Sequence, residues 1–386
     1  MSKEAFLEFV KKAKDINVLD FINNYSKQFP TTFGSKDSMA PQMLSIELTD
    51  KCNLECNYCY GEFKKRGKCF WNLEDLKSLF DTLSKEGAMI LELTGGEPLL
   101  HPNFNEILLL ALSKFRMINV LTNGILIKKE LIEIVSQYKN RIAFQVSIDG
   151  CSEETNRIIR GVKNTYNKTL NAIKQLRDIG ALYKVIYMST EENMHEIPMI
   201  CELFRKEGIK NLTISKATGF GRACDYKECI IKKDNDYFAE IMNKIKKKYV
   251  DILSKEHYNN SIAQLSIEKN CGVGWKLLSI AANGDFRSCT LLGDVGCMGN
   301  FYKQNISDIL NSNKRDFYVN FFKKYDEEAC NICIYKQYCT KCISRVYTAN
   351  LQRLKDGLGL CEIAIRNKMD EYLDFQSTST PKFSIE

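Results

Sequence analysis

The sequence predicts an α/β protein in which a partial (β/α)6 barrel, similar in plan to a TIM barrel, precedes a cysteine-rich extension. Two patterns over the 386 residues predict this organisation. Apolar, β-branched stretches alternate with helical stretches about six times between residues 42 and 215, which indicates parallel strands joined by right-handed crossovers. Cysteines then recur from Cys271 to Cys361, beyond the last of these units.

Each unit of the barrel follows from its apolar spacing and its turn residues. The predicted strands are Gln42–Leu48, Met89–Leu93, Ile118–Leu121, Ile142–Ile148, Tyr183–Met188 and Leu212–Ser215. The predicted helices are Leu73–Lys85, Phe104–Lys114, Lys128–Tyr138, Asn167–Ile179 and His195–Lys206. The predicted domains are an N-terminal helix (Glu4–Tyr25) and linker over 1–40, the barrel over 41–256, the extension over 257–370 and a flexible tail over 371–386.

Composition narrows the class of protein. Hydrophobic residues make up 44% and charged residues 27%, which is typical of a globular chain. The N-terminus has no apolar signal region and the longest apolar run is 107–112, so we expect a cytoplasmic protein with no membrane partner. The net charge of +7 is spread over short groups without aromatic interleaving, which argues against a nucleic-acid partner. In that compartment, the 16 cysteines favour metal binding or chemistry over disulfides.

Polar motifs follow each of the first four predicted strands. Because the carboxyl ends of parallel strands meet at one rim of a barrel, these motifs are expected to form one site. The glycine pair in the second motif would be a plain turn if it stood alone. The four motifs are the cysteines Cys52, Cys56 and Cys59, then Thr94–Pro98, Thr122–Gly124 and Ser147–Gly150.

The number of cysteines after the first strand, three, indicates the kind of metal site that they form. Zinc sites and electron-transfer iron–sulfur clusters normally take four protein ligands. Three thiols within eight residues, with no obvious fourth, therefore indicate a site that keeps one metal position open.

The stretch CNLECNYCY (52–60) resembles the CxxxCxxC signature of the radical S-adenosylmethionine (radical SAM) superfamily, and TGGEP (94–98) resembles its second motif. The resemblance implies that Cys52, Cys56 and Cys59 hold a [4Fe–4S] cluster whose fourth iron binds S-adenosylmethionine (SAM), which is cleaved to a 5′-deoxyadenosyl radical. It also implies further cofactor-binding residues, although an arginine such as Arg160 is often only a surface residue. These are Tyr58, Gly95, Gly96, Glu97, Ser147, Arg160 and Asn193.

The later cysteines resemble the SPASM extension, which houses two auxiliary [4Fe–4S] clusters. The resemblance implies that Cys271, Cys289 and Cys342 hold the inner cluster, with Cys297 as fourth ligand or with one iron open. The outer cluster would take Cys330, Cys333, Cys339 and Cys361. The two-residue spacing between Cys339 and Cys342 departs from the three residues that are usual in the family. A zinc ribbon is the alternative interpretation of this spacing.

The SPASM resemblance implies a precursor-peptide substrate and an external one-electron reductant of the flavodoxin or ferredoxin type. The expected reaction is thioether or carbon–carbon cross-link formation in a ribosomally made peptide. Thr290 stands where anaerobic sulfatase maturases carry an aspartate, which counts against formylglycine formation. A porphyrin side-chain enzyme, a multi-cluster electron carrier and a zinc-binding interaction protein remain alternatives. A full leader-binding module is not expected in residues 1–41, so the leader would dock on the N-terminal helix, on a separate protein or on the barrel edge.

Overall fold

A computed structural model of the chain describes residues 41–64, 66–226, 229–231, 235–254, 272–321, 330–335, 339 and 342–376. The described strands form one nine-stranded sheet with the order β6-β5-β4-β3-β2-β1-β7-β8-β9. The strands are β1 Met43–Glu47, β2 Ile90–Thr94, β3 Met117–Thr122, β4 Ile142–Ser147, β5 Leu182–Ser189, β6 Leu212–Lys216, β7 Leu277–Ile280, β8 Asp285–Arg287 and β9 Cys297–Asn300.

The first six strands confirm the barrel plan. Each pairs in parallel with the next along the chain, from β1 with β2 to β5 with β6. The α-helices are α1 Leu73–Lys85, α2 Phe104–Lys114, α3 Lys129–Gln137, α4 Glu153–Arg160, α5 Tyr166–Asp178, α6 Ile197–Lys206, α7 Asp236–Lys248, α8 Ile306–Leu310, α9 Asn313–Asn320, α10 Ile343–Lys355, α11 Glu362–Arg366 and α12 Met369–Tyr372. Helix α4 was not among the predicted helices, because its eight residues are mostly polar.

The C-terminal region continues the sheet of the barrel. Strand β7 pairs in parallel with the free edge of β1, and β8 and β9 follow as antiparallel neighbours. This arrangement places the turn after β7 beside the end of β1, a few residues before the first cysteine motif. The predicted barrel and extension therefore share one continuous sheet.

The helices cover the sheet through amphipathic faces. In α1, the side chain of Asn72 caps the helix by accepting a hydrogen bond from the backbone N–H of Asp75. One face of α1 is buried, through Leu76, Leu79, Phe80 and Leu83. The ring of Phe80 packs edge-on against Phe115 at a centroid distance of 5.3 Å. Such contacts hold the strand ends in place behind the rim.

Residues 371–376, at the start of the predicted flexible tail, pack against the C-terminal region. Tyr372 stacks on Phe317 with ring centroids 4.6 Å apart, and the Leu373 side chain is only 1% exposed. The hydroxyl of Tyr347 donates a 2.5 Å hydrogen bond to the carbonyl of Asp374. Apolar burial therefore extends past the predicted boundary, while residues 377–386 and the predicted helix Glu4–Tyr25 lie outside the described residues. Among the described helices, none combines the length and apolar character that crossing a bilayer requires.

Candidate active site at the barrel rim

The cysteine loop, residues 49–64, is held against the loop that follows β2. The N–H of Gly96 donates to the carbonyl of Thr49 (2.8 Å), and the N–H of Glu97 donates to the carbonyl of Lys51 (2.9 Å). A Cβ on Gly95 would lie 2.4 Å from the Thr49 oxygen, and a Cβ on Gly96 would lie 2.2 Å from the Lys51 oxygen. Only glycine permits this approach of the two backbones. The glycine pair is thus more than a plain turn.

Glu97 organises the third motif with its buried carboxylate. One oxygen accepts hydrogen bonds from the Thr122 hydroxyl (2.7 Å) and from the N–H of Leu99 (3.1 Å), and the other accepts from the N–H of Asn123 (2.8 Å). Burial raises the pKa of Glu97 to about 7, although these hydrogen bonds oppose the shift. The Asn123 amide in turn donates to Asn53 in the cysteine loop (2.7 Å). The second and third motifs therefore both contact that loop.

Asp149, in the fourth motif, is fully buried and lies between two predicted site residues. Its Oδ2 accepts a hydrogen bond from the Tyr58 hydroxyl (2.6 Å) and another from Arg160 Nε (2.7 Å). Its Oδ1 accepts from the N–H of Met188 at 3.1 Å. Tyr58 and Arg160 are therefore brought together through a carboxylate that was not predicted as a site residue. That Tyr58 lies beside the adenine of SAM stays a prediction.

Arg160 corrects the surface interpretation, because its side chain is only 1% exposed and ends helix α4. Burial lowers the pKa of its guanidinium, but the negative charge of the Asp149 carboxylate is the largest of the influences that outweigh burial and raise it. Its Nη1 and Nη2 are buried and make no hydrogen bond to the described part of the chain. These two positively charged nitrogens lie near Cys56 and can still donate hydrogen bonds. They would suit an anionic group at this point, such as an iron–sulfur cluster or a carboxylate.

The end of α4 also holds the backbone of the cysteine loop. The carbonyl of Arg160 accepts a hydrogen bond from the N–H of Glu55, and the carbonyl of Ile159 accepts from the N–H of Asn57, both at 3.0 Å. Gly161 caps the helix at φ 70°, where a Cβ would lie 3.1 Å from Glu55. These bonds flank Cys56 on both sides.

The last two predicted cofactor-binding residues, Ser147 and Asn193, differ in burial and in hydrogen bonding. Ser147 is half-buried at the end of β4. The buried amide of Asn193 donates to the carbonyls of Asp149 and Met188 (both 2.9 Å) and accepts from the N–H of Thr190 (2.7 Å). All polar atoms of Asn193 thus have protein partners, and its contact with the cofactor stays a prediction.

The three thiols of the cysteine loop lie within electrostatic range of one another. Burial raises the pKa of Cys52 to about 12, and burial likewise raises the pKa of Cys56. A thiolate is the form that binds metal, so bound iron would have to displace these protons. The trio, the orphaned donors of Arg160 and the glycine contacts fit a three-thiolate cluster with SAM.

The described thiols of the predicted outer cluster come together. Cys361, Cys330 and Cys333 lie within electrostatic range of Cys339, as does Cys342. Burial and these neighbours raise the pKa of Cys339 to about 12. Asn350 on α10 holds Cys361 in two ways: its Oδ1 accepts from the Cys361 N–H (2.7 Å), and its Nδ2 donates to the Cys361 sulfur (3.3 Å).

The predicted inner cluster is described only in part, since Cys271 lies outside the described residues. Cys289 follows β8, and Cys297 begins β9 beside Arg287. Cys289 and Cys297 both lie within electrostatic range of the buried Tyr318 hydroxyl. The Cys342 sulfur lies 2.9 Å from the Ser344 hydroxyl at the start of α10. Whether Cys297 is a ligand stays a prediction.

The thiol arrangement also bears on the zinc-ribbon alternative. Within the described ranges, no three His, Cys, Asp or Glu side chains are placed to hold a metal ion. Sulfurs around a tetrahedral zinc would be ~3.8 Å apart, since zinc–sulfur bonds measure about 2.3 Å. A four-iron cluster is larger than a single ion and spreads its thiols further. The described side chains therefore form no closed single-ion site.

A cavity of about 730 Å³ lies between the barrel rim and the C-terminal region. Tyr60, directly after Cys59, lines one side, and Thr290, directly after Cys289, lines another. Glu47 and Arg287 line it as well, with Glu47 Oε2 3.8 Å from Arg287 Nη1. Burial raises the pKa of Glu47, while Arg287 opposes the shift. The cavity is therefore lined by residues adjacent in sequence to one cysteine of each group, Cys59 and Cys289.

Two residues of this region were not predicted as site residues. Asp149 belongs to the SIDG motif, so its place after a strand was a signal, but the motif alone does not distinguish it from Ser147. Glu47 ends β1 within an ordinary apolar strand, and only the pairing of β1 with β7 brings Arg287 to it. No sequence spacing links residues 240 positions apart.

Comparison with known proteins assigns the class. Residues 46–204 match the radical SAM superfamily, and residues 271–342 match the SPASM iron–sulfur cluster-binding domain. The chain belongs to the radical SAM superfamily with a SPASM domain; it is an enzyme of this class, and both domains imply SAM and iron–sulfur clusters.

Three known proteins are similar to this chain in sequence. The chain is 31% identical over 315 residues to the antilisterial bacteriocin subtilosin biosynthesis protein AlbA of Bacillus subtilis (strain 168), covering 80% of this chain and 68% of AlbA. It is 27% identical to the sporulation killing factor maturation protein SkfB of the same strain, over 72% of this chain and 66% of SkfB. It thus spans about two thirds of both. An AdoMet-dependent heme synthase of Methanosarcina barkeri is 26% identical, over 82% of this chain and 95% of that protein.

Solved structures share the fold. Native anSMEcpe with bound AdoMet superposes with a TM-score of 0.64 at 17% identity, covering 86% of this chain and 97% of that chain. Streptococcus suis SuiB bound to precursor peptide SuiA gives a TM-score of 0.58 at 18% identity, covering 71% of this chain and 65% of that chain. At these identities, the similarity concerns the fold alone.

Proposed function

We propose that this enzyme modifies a ribosomally made precursor peptide by forming a thioether or carbon–carbon cross-link. The observation that carries the proposal is the cavity of about 730 Å³, whose walls include the residues directly after Cys59 and Cys289. A substrate in this cavity would lie beside both cysteine groups, as a reaction that removes a hydrogen atom and then an electron requires. The volume falls in the usual range for ligand sites.

The names of the relatives support a peptide substrate. AlbA takes part in bacteriocin subtilosin biosynthesis, SkfB matures a sporulation killing factor, and SuiB has been solved with its precursor peptide. The cavity lining adds a chemical argument. It mixes the cations Lys64, Arg66 and Arg287 with aromatic rings and carboxylates, which suits a peptide with both polar and apolar side chains.

In this proposal, the chain's own residues bind and orient the reacting groups. Cys52, Cys56 and Cys59 hold the first cluster, and Arg160 places its free guanidinium donors next to Cys56. The loops after β2, β3 and β4 hold the cysteine loop in position and exclude water behind it. When bound there, SAM supplies the deoxyadenosyl radical that abstracts the hydrogen atom. An external flavodoxin- or ferredoxin-type protein would supply the electron.

In this proposal, the SPASM cysteines hold two auxiliary clusters, which together with the barrel cluster make three clusters per chain. Cys271, Cys289 and Cys342, with or without Cys297, would hold the inner auxiliary cluster. Cys330, Cys333, Cys339 and Cys361 would hold the outer one. About twelve irons per chain are then expected after anaerobic reconstitution. A count of about four would overturn the auxiliary assignment.

The test of catalysis separates the two cysteine groups. Replacing Cys52, Cys56 and Cys59 together by alanine should abolish deoxyadenosine formation, whereas Cys361→Ala should retain it but yield no modified peptide. Cys201→Ala, in the buried core, is the matched control and should retain both activities. Deoxyadenosine formation by the triple variant would refute the site assignment.

The test of the substrate uses a cavity variant. The enzyme is expressed with short peptides encoded beside its gene, and mass spectrometry looks for the loss of two hydrogen atoms per cross-link. Leu291→Trp, which fills the cavity, should abolish this product while peptide-free deoxyadenosine formation persists. Leu109→Trp, on an exposed face of α2, should change neither. Full product formation by Leu291→Trp would place the substrate elsewhere.

A porphyrin substrate is the second candidate, because the alignment covers 95% of the M. barkeri heme synthase. Four carboxylates line the cavity, namely Glu47, Asp50, Glu62 and Asp294. They would repel the propionate groups of a porphyrin. Incubation with an iron porphyrin under the same conditions decides between the candidates: a changed porphyrin mass without a peptide product would replace the first proposal.

A further inference from the structure

The segment after β6, Phe220–Arg222, contacts the second half of the cysteine loop, whereas the glycine pair contacts its start. Gly221 adopts φ 59°, and a Cβ there would lie 2.4 Å from the carbonyl oxygens of both Cys59 and Tyr60. The two backbones therefore touch at the last cysteine of the trio. None of these three residues belongs to a motif that the sequence predicts as part of the site.

Arg222 binds this loop through three carbonyl oxygens. Its backbone N–H donates to Cys59 (3.1 Å), its Nε donates to Cys56 (2.7 Å) and its Nη1 donates to Phe63 (2.9 Å). The side-chain bonds carry a full positive charge, which makes them stronger than bonds between neutral groups. One residue thus holds the backbone at Cys56, at Cys59 and just beyond.

The position of Arg222 in the fold gives these bonds a purpose. Helix α4 holds the loop on both sides of Cys56, the glycine pair holds its start, and Arg222 joins its second half to the far end of the parallel strands. Strands β1 and β6 are not neighbours in the sheet, so no hydrogen bonds between these two strands fix the distance from the cysteine loop to the segment after β6. The hydrogen bonds of Arg222 fix that distance.

We propose that Arg222 is the positioning residue of the cysteine trio and that its charge makes reduction of the bound cluster easier. The guanidinium, bonded to the carbonyl of Cys56, and the backbone N–H of Arg222, bonded to the carbonyl of Cys59, together set the separation of these two cysteines. A cation near the cluster stabilises the added electron, because cluster potentials respond to net charge and hydrogen bonding. The inference rests on the assignment of Cys52, Cys56 and Cys59 as ligands and is independent of the substrate.

The test compares two variants. Arg222→Gln loses both the positive charge and the planar guanidinium that bonds two carbonyls at once, whereas Arg222→Lys keeps only the charge. Electron paramagnetic resonance (EPR) detects the reduced clusters, and the signal component that changes when SAM is added belongs to the open cluster. This component is followed in a redox titration and in a SAM titration. In Arg222→Gln, the reduction equilibrium constant should fall about tenfold, which is about 59 mV for one electron. In Arg222→Lys, it should stay within about threefold of the wild type. Both variants should bind SAM about tenfold more weakly.

Arg205→Gln is the matched control. Arg205 also bonds a carbonyl and a carboxylate, those of Lys248 and Asp251, but it lies at the end of α6 and away from the cysteine loop. This variant should behave as the wild type. Loss of the SAM-dependent signal in the triple cysteine variant confirms that the signal belongs to this cluster; its persistence there would refute the ligand assignment instead.

Each result decides the role of Arg222. An unchanged potential and SAM response in Arg222→Gln would overturn the proposal. If Arg222→Gln keeps its far-UV circular dichroism but binds no iron at the trio, the positioning role is supported. If Arg222→Gln does not fold, the lysine variant decides: wild-type SAM binding there would refute positioning, and weakened binding would support it.

Discussion

The two cysteine groups of this enzyme are held in different ways. The barrel trio sits on a loop whose backbone is bonded to the turn after β2, to the end of α4 and to the segment after β6. Its side chains are also bonded to the loops after β3 and β4. Among the described residues of the second group, Cys333 stands between Ile332 and Ile334, which are 87% and 69% exposed. The comparison teaches that protein hydrogen bonds fix the barrel loop in advance, whereas the exposed surroundings of Cys333 leave that thiol less constrained by the rest of the protein.

The largest expected effect tests the advance shaping of the barrel site at Arg160. Arg160→Met would leave the buried carboxylate of Asp149 without its cation and should cost about 3–5 kcal/mol in the free energy of unfolding. Urea denaturation measures the change. Arg157→Met, three residues earlier on the exposed face of α4, should leave the denaturation midpoint almost unchanged, because exposed ion pairs contribute little to stability. Adding Asp149→Asn to Arg160→Met should recover part of the loss; equal costs for the two arginine variants would contradict the account.

The second prediction concerns the glycine contact. Gly96→Ala places a Cβ 2.2 Å from the Lys51 oxygen, so one of the two loops must shift, at a cost of about 2–3 kcal/mol. Gly208→Ala is the control, because its φ of 66° is strained but nothing lies within 4 Å; about 1 kcal/mol is expected there. Denaturation midpoints and iron content are measured together. Normal iron loading by Gly96→Ala would show that the loop does not need this contact.

Removal of iron sharpens the comparison directly. Chelation of the reconstituted enzyme should raise amide hydrogen exchange about tenfold at residues 330–335 and less than about threefold at residues 52–59, because the barrel loop keeps its protein hydrogen bonds. Mass spectrometry of exchanged peptides provides the measurement. A larger increase in the barrel loop would reverse the conclusion.

The smallest expected effect is a pH dependence from Glu97. Its pKa is raised to about 7 in the folded chain, so above pH 4.5 the native state binds more protons than the unfolded state. Its contribution to stability is therefore present at low pH and is lost as pH rises. The iron-free protein should lose about 1 kcal/mol from this group between pH 6 and pH 8. Glu97→Gln should lack this component; an identical pH profile would remove Glu97 as its source.

Much of the fold could be predicted, because apolar periodicity is a local property. The five predicted helices and six predicted strands of the barrel all occur, with ends that agree to within two residues. Helix α4 was missed since polar residues dominate it, and the packed residues 371–376 were missed since their partners, such as Phe317, are distant in sequence.

The candidate site divides along the same line. The spacing of Cys52, Cys56 and Cys59 and the following TGGEP stretch indicated the chemistry, since metal ligation and close backbone approach require particular residue types at short separations. The partners of these residues could not be predicted. Asp149 joins Tyr58 to Arg160, and Arg222 reaches carbonyls more than 150 positions away.

The sequence by itself determined the class of enzyme and the six strands of the barrel, and it predicted which cysteines bind iron, because these depend on local spacing and residue chemistry. Only the tertiary structure decided that Arg160 is buried with guanidinium donors that have no partner in the described part of the chain, that Glu47 faces Arg287, and that the residues directly after Cys59 and Cys289 line one cavity. Those features arise where loops from non-adjacent strands meet, and the geometry of such a meeting is set by the packing of the whole sheet.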